Sequence, residues 1–322
     1  MRHYTAREIG VCGTKKSYTR RLERYVNDLL HCMTIQDVAH NLQMSWNTVK
    51  EIQKQYLQRH YGSPRLKEVQ YIAIDEFAVQ KGHRYMTVVY DLEHGRAIFV
   101  GNGRESEVLK PFWKRLKSSG AKLKAVALDM WPAYLKSVVE NTKNVMVVFD
   151  KFHIIKKMNE ALDDTRRSLY REEIEVNKRS VIKGLRWLLL KNKSRLDNTT
   201  NQKNQLEEAL AINKPLAQAY YLKEELRMLW QQPHREAAED FLTQWIQKAR
   251  ATTIQPLVKF CNMLAGHRSG VLNYYLFPIS TGKLEGFNNK IKVLKRKAYG
   301  YRDTEFFKLK IYSLHKAKYV LL

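Results

Sequence analysis

The chain has 322 residues, a length for two domains, or three if one is small, and 44% of them are hydrophobic, ample for packed cores and too many for a disordered chain. Its formal net charge is +25, from 57 Lys and Arg against 32 Asp and Glu. That excess points to a long polyanion such as nucleic acid rather than a membrane, since no apolar run approaches the roughly 18 residues of a span and no signal peptide is visible.

The three cysteines, Cys12, Cys32 and Cys261, are far apart and odd in number. Their spacing argues against a disulfide framework and a sulfur-ligated zinc site, and the chain reads as cytoplasmic and reduced.

Residues 18–60 have a helical pattern with almost no Gly or Pro. Thr34 and Asp37 form a capping pattern, and Ile35, Val38, Ala39 and Leu42 then line one apolar face. Gln43 and Met44 make a turn, and Ser45 caps a second helix from Trp46. On that helix Val49, Ile52 and Tyr56 are expected inward, with Asn47, Lys50, Gln53 and Lys54 outward. This is either a helix-turn-helix or an ordinary helical hairpin, and the basic charge favours DNA binding. Trp46, Asn47, Lys50 and Lys54 are then the DNA-facing residues. Residues 1–68 form this helical region with its linker, "YGSPRLKE", broken by Gly62, Ser63 and Pro64.

Residues 69–155 alternate strands and helices. "VQYIAIDEF" reads as a strand buried on both faces, followed by strands over 85–92 and 96–102 in a meander. A helix over 106–120 leads to a strand at 123–130, a helix at 132–142 and a strand at 144–150. The sum is β-β-β-α-β-α-β, an α/β core. Residues 156–280 are helical throughout, and 281–322 add two further helices. Arg104, Lys114 and Arg115 read as solvated or phosphate-facing charge. Of Trp187, Trp230 and Trp245, at least two are expected in a core, while one in this position could stack on a flipped base.

Two strands end in an acid after an apolar run: "YIAIDEF" at Asp75 and "AVALDM" at Asp129. Such acids often only cap turns. If the two strands lie parallel, however, both carboxylates reach one sheet edge, where ligands bind. Close carboxylates need a cation, and paired divalent ions suit phosphoryl transfer. Glu285 can supply a third carboxylate from the first turn of a helix. That helix has an apolar stripe at Leu284, Phe287, Ile291, Leu294 and Ala298. Its polar flank carries Asn289, Lys292 and Arg296, cations for phosphates behind the acid. A plain dipole preference also explains an acid there.

The motifs "IAIDEFA", "ALDMWPAY", "VVFDKFHIIK" and "GKLEGFNNKIKVLKRKAYGYRD" together resemble the DDE transposases of bacterial insertion sequences, specifically the ISL-three family. The resemblance covers roughly residues 20 to 315. It implies an RNase H-like mixed sheet interrupted by an all-helical insertion at 156–280, completed by 281–322 and preceded by the helix-turn-helix. It implies an acidic triad of Asp75, Asp129 and Glu285 that binds two Mg²⁺ (or Mn²⁺) ions. Asp150 and His153 in "DKFH" are similar to an element that follows the second acid in related enzymes, and Asp150 is the rival to Asp129 as ligand. Lys290, Lys292, Lys295, Arg296, Lys297 and Arg302, with Asn289, would hold DNA. Partners would be element ends, target DNA and a second copy, with no membrane, in a bacterial cytoplasm at the nucleoid. Members commonly begin with a zinc-binding segment; only His3 and Cys12 stand in the first 17 residues here, so a shortened copy is one expectation. A DNA-binding regulator without catalysis, a decayed-element product and a structure-specific nuclease of the same fold remain alternatives.

Overall fold

A Thr or a Ser stands before each of the first three helices and accepts a hydrogen bond from its first turn. The computed structural model describes residues 18–80, 84–173, 175, 182–192 and 202–316, so His3 and Cys12 lie outside the described residues. Thr19 accepts from the Leu22 amide ahead of α1 (Arg20–Leu29). Thr34 and Asp37 close a reciprocal capping box on α2 (Ile35–Asn41), with both bonds at 3.1 Å. Ser45 accepts from the Thr48 amide at 3.1 Å on α3 (Trp46–Tyr61). Gln43, between α2 and α3, takes the left-handed turn conformation at φ 52°. Val26, Leu30, Val38, Ala39, Val49 and Ile52 fill the core of this bundle.

By its contacts the chain separates into two compact units, one of 1–123 with 281–322 and one of 124–280. In the first, β1 (Tyr71–Gln80), β2 (Arg84–Asp91) and β3 (Arg96–Asn102) form an antiparallel meander with β2 in the middle. Asp75 does not end its strand. It pairs with Val88, and the ladder runs on through Glu76–Thr87 and Phe77–Met86. The apolar run stops at Ile74 because two-residue alternation takes over, burying Phe77 and exposing Ala78. Asp91 shows what a structural strand-end acid looks like. It is buried, accepts from the Glu93 and His94 amides at 3.1 Å each, and takes His94 Nδ1 at 2.8 Å. After the sheet a 3-10 turn, Ser106–Leu109, leads into α4 (Lys110–Ser118). Arg104 and Arg115 have structural partners: Arg104 lies over the Tyr85 ring at 4.5 Å, and Arg115 donates to the Pro64 carbonyl at 3.0 Å. Lys114 is exposed.

In the second unit, β4 (Ala125–Leu128) and β5 (Met146–Phe149) are parallel, with Leu128 beside Phe149 in the register, and α5 (Pro132–Asn141) joins them. The long α6 (Lys151–Glu172) starts straight from β5. It is followed by α7 (Arg186–Leu190), α8 (Gln202–Ile212), α9 (Lys214–Leu226), α10 (Arg235–Ala251), α11 (Gln255–Gly266) and α12 (Arg268–Leu272), with no strand among the described residues of 156–280. Helices α9 and α11 pack on α6. Trp245 is core and donates to the Leu222 carbonyl at 3.0 Å. Trp230 is half-buried and Trp187 is 70% exposed, so one of the three tryptophans is fully buried where two were expected. A Cβ on Gly270 would lie 2.4 Å from the Phe149 ring, so glycine is what lets α12 lie against β5. Asn273 ties the same junction by donating to the Val147 carbonyl at 2.8 Å.

The chain then returns to the first unit as α13 (Gly282–Lys297) and α14 (Thr304–Ser313). Leu284, Phe287, Asn288, Ile291 and Leu294 are the buried face of α13, whereas Ala298 is exposed past its end. Helix α14 packs on α3 and β3, and Tyr312 accepts from the Val100 amide at 3.0 Å. That packing corrects the inward face of α3. Gln53, expected outward, is 6% exposed, and Leu57 is buried while Tyr56 is only half-buried.

Candidate active site

Helix α13 lies along β1 because polar and apolar ties fix it at several points. Asn288 Nδ2 donates to Asp75 Oδ2 at 2.8 Å, joining residues 213 apart. Lys295, further along the helix, donates to the Ala78 and Val79 carbonyls at 3.0 Å each. Lys283 reaches the Leu92 carbonyl at 3.0 Å, and Phe287 packs on Tyr90 with ring centroids 5.0 Å apart. Glu285 is one turn before Asn288 and is exposed. Asp75 is half-buried, and its Oδ1 accepts from the Glu76 amide at 2.9 Å. The first unit therefore brings the element that carries Glu285 onto the strand that carries Asp75.

Asp129 belongs to the second unit, just past β4, half-buried, with Oδ1 accepting from the Trp131 amide at 2.9 Å. Asp150 is different: it is 3% exposed and N-caps α6, its Oδ1 accepting from the Phe152 amide at 2.7 Å. His153 is half-buried in the first turn of α6, its ring 5.6 Å from that of Phe152.

Among the described residues no three His, Cys, Asp or Glu side chains stand close enough together to hold a metal ion. The donor chemistry of the first unit still suits a hard divalent cation, which takes carboxylate and amide oxygens with water. Asp75 and Glu285 offer carboxylates, and Asn288 Oδ1 is buried with no hydrogen-bond partner. Sequence reading missed Asn288, although its place four after Leu284 and three before Ile291 puts it on the apolar face.

The residues expected to face DNA divide. Trp46 is 44% exposed, and Asn47 is exposed beside it at the start of α3. Lys50 and Lys54 are each paired with Asp303 at 2.9 Å, across the α3–α14 packing. Asn289, Lys292, Arg296, Lys297 and Arg302 are exposed, Lys290 is half-buried, and Lys295 serves β1 as described. Asp303 also caps α14, accepting from the Phe306 amide at 3.0 Å. Partial burial alone would raise its carboxyl, but the Lys50 ammonium, the Phe306 amide and the Lys54 ammonium outweigh that and hold it well below the usual carboxylate range. A carboxyl with a depressed folded-state value stabilises above its unfolded value and loses that contribution as pH falls. Asp303→Ala should therefore cost about 1–2 kcal/mol in urea unfolding at pH 7. The gap to the parent should begin to close as pH falls below about 4 and keep closing down through the depressed range of the folded-state carboxyl.

Among the described residues no helix is long and apolar enough to cross a membrane. A family model described as "Transposase", of the ISL3 type, matches residues 72–311, and the helix-turn-helix domain of transposase family ISL3 matches residues 14–57. The transposase for insertion sequence element IS1001 of Bordetella parapertussis is 36% identical over 302 residues, 93% of this chain and 74% of that protein. The transposase for insertion sequence element IS1557 of Mycobacterium tuberculosis is 26% identical over 292 residues, 83% of this chain and 65% of that protein. A solved Drosophila P element transposase strand transfer complex aligns over 96% of this chain and 95% of its own, at 11% identity and a TM-score of 0.46. With three quarters of its length in one family model and a relative of this identity along nearly all of it, the chain belongs to the ISL3 family of transposases.

Proposed function

We propose that this transposase binds the ends of an insertion sequence through α2 and α3, cleaves the phosphodiester at the end, and joins the resulting 3′-OH to target DNA. Asp75, Asp129 and Glu285 would hold two Mg²⁺ or Mn²⁺ ions on an RNase H-like core of 69–155 and 281–322. The helices of 156–280 would be an insertion in that core. When bound, such ions supply Lewis acidity at the attacking and leaving oxygens. The observation that carries this reading is the Asn288–Asp75 hydrogen bond, which seats the helix bearing Glu285 on the strand bearing Asp75.

The chain's own residues do the rest. Trp46 and Asn47 head the helix that would enter the major groove. The exposed cations Lys292, Arg296 and Lys297 follow Glu285 along α13, where they would hold the phosphates beside the scissile bond. Holding two element ends at once calls for at least two copies, acting on DNA in the cytoplasm at the nucleoid.

The test is strand transfer of a pre-cleaved end with Mg²⁺ or Mn²⁺, run beside an end-binding assay. Cleavage without joining would point to a nuclease. Specific binding by a folded protein with no metal-dependent chemistry would remove both enzyme readings. Asn288 enters as a positioning residue: Asn288→Ala should lower joining about 10–100-fold, the usual cost of losing a group that orients a ligand. End binding measured by gel shift should stay within about twofold, since no DNA contact is assigned to Asn288.

A further inference from the structure

The first unit contains a cleft of about 820 Å³, walled by α2, the start of α3, and the turn between α13 and α14. Its cations are Lys50, Lys297, Arg302 and Lys310, against a single acid, Asp303. Segments far apart in sequence thus pool positive charge in one concave place. Lys310 has no carboxylate partner among the described residues; its ammonium lies 5.9 Å from the Phe306 ring centroid and 3.4 Å from Gln53 Oε1. Burial pushes its pKa down to about 8, so the cation is held there at a cost that an anion would repay.

Two walls are aromatic. Trp46 is 44% exposed, and Tyr299 is fully exposed on a left-handed backbone at φ 52°. Exposed rings beside cations are the composition of a platform for nucleic-acid bases. The shape narrows the choice further. A duplex is read by an element that protrudes into its major groove, about 12 Å wide. A concave cleft instead receives what has left the base stack.

We propose that this cleft holds one unpaired nucleotide of DNA, its phosphate between Arg302 and Lys310 and its base on Tyr299. This rests on the DNA-binding reading of the helix-turn-helix and adds to it a strand-selective subsite outside the catalytic acids.

The experiment uses the full chain and a mixed-sequence oligonucleotide of about 12 residues carrying one 2-aminopurine, single-stranded or as a blunt duplex. The proposal expects the single strand to bind with loss of 2-aminopurine fluorescence. Tyr299→Ala should weaken single-strand binding about 5- to 100-fold while duplex binding holds, as loss of one stacking partner does. Lys310→Met, which also removes a buried charge, should lower the salt slope of single-strand binding by roughly 0.7. Single-strand binding that neither variant moves, with duplex binding intact, overturns the subsite alone. Equal weakening of both substrates also overturns it, by making the cleft part of a duplex interface. A parent that binds neither substrate overturns the DNA-binding reading and the subsite with it.

Discussion

Asp75→Asn protein should lose strand transfer by about 10³-fold or more, several kcal/mol of transition-state stabilisation, and still bind DNA. The substitution keeps the shape of the side chain and an oxygen that can accept from Asn288, which now sits at 2.8 Å. What it removes is the negative charge that a divalent cation requires. Because β1 continues past Asp75 to Gln80, the strand does not depend on this carboxylate for its end. The unfolding midpoint should therefore change little, and loss of joining in a stable protein isolates the chemical role. Retained joining at the parental rate would remove Asp75 from the triad. Glu285→Gln should behave alike, as Glu285 is exposed and caps nothing.

The second large effect separates Asp129 from Asp150. Asp129→Asn should cost strand transfer about 10³-fold, on the same charge argument. Asp150→Asn should keep most of the activity, because Asn caps a helix about as well as Asp and the Phe152 amide keeps its acceptor. Asp150→Ala should instead lower stability by about 1–2 kcal/mol, since it strips the cap from the 22-residue α6. The three variants measured together, by strand transfer and by urea unfolding, give a pattern that no other assignment produces. An active Asp129→Asn beside a dead Asp150→Asn reverses it and makes Asp150 the ligand.

Much of this was legible in the sequence because it is local. The Thr34–Asp37 capping box, the Ser45 cap and the three strands of the meander depend on residues within a few positions of each other. The helical run from 156 is readable for the same reason, through unbroken 3.6-residue periodicity. What was not legible has the opposite cause. Gln53 is buried because α14 covers it, and Lys50 and Lys54 are paired with an acid about 250 positions away, the Lys54–Asp303 separation being 249. Lys295 is expected among the phosphate contacts, and its partners here are backbone carbonyls 216 and 217 residues back, which no side-chain pattern records. Asp75 was placed at a strand end because an acid interrupts the apolar run, whereas pairing with β2 carries the strand through it. Tyr299 and Lys310 carry no local signal, since only the cleft formed by distant segments sets them apart.

The Asn288–Asp75 tie has a consequence for how the protein is born. A bond across 213 residues is among the last contacts a growing chain can make. At about 5–20 residues per second, the ribosome needs roughly 10–40 s after releasing β1 before α13 can dock on it. During that interval a nascent chain has its helix-turn-helix but lacks the Asn288–Asp75 tie. On the proposed reading, such a chain would meet DNA near its ribosome before its catalytic acids are assembled.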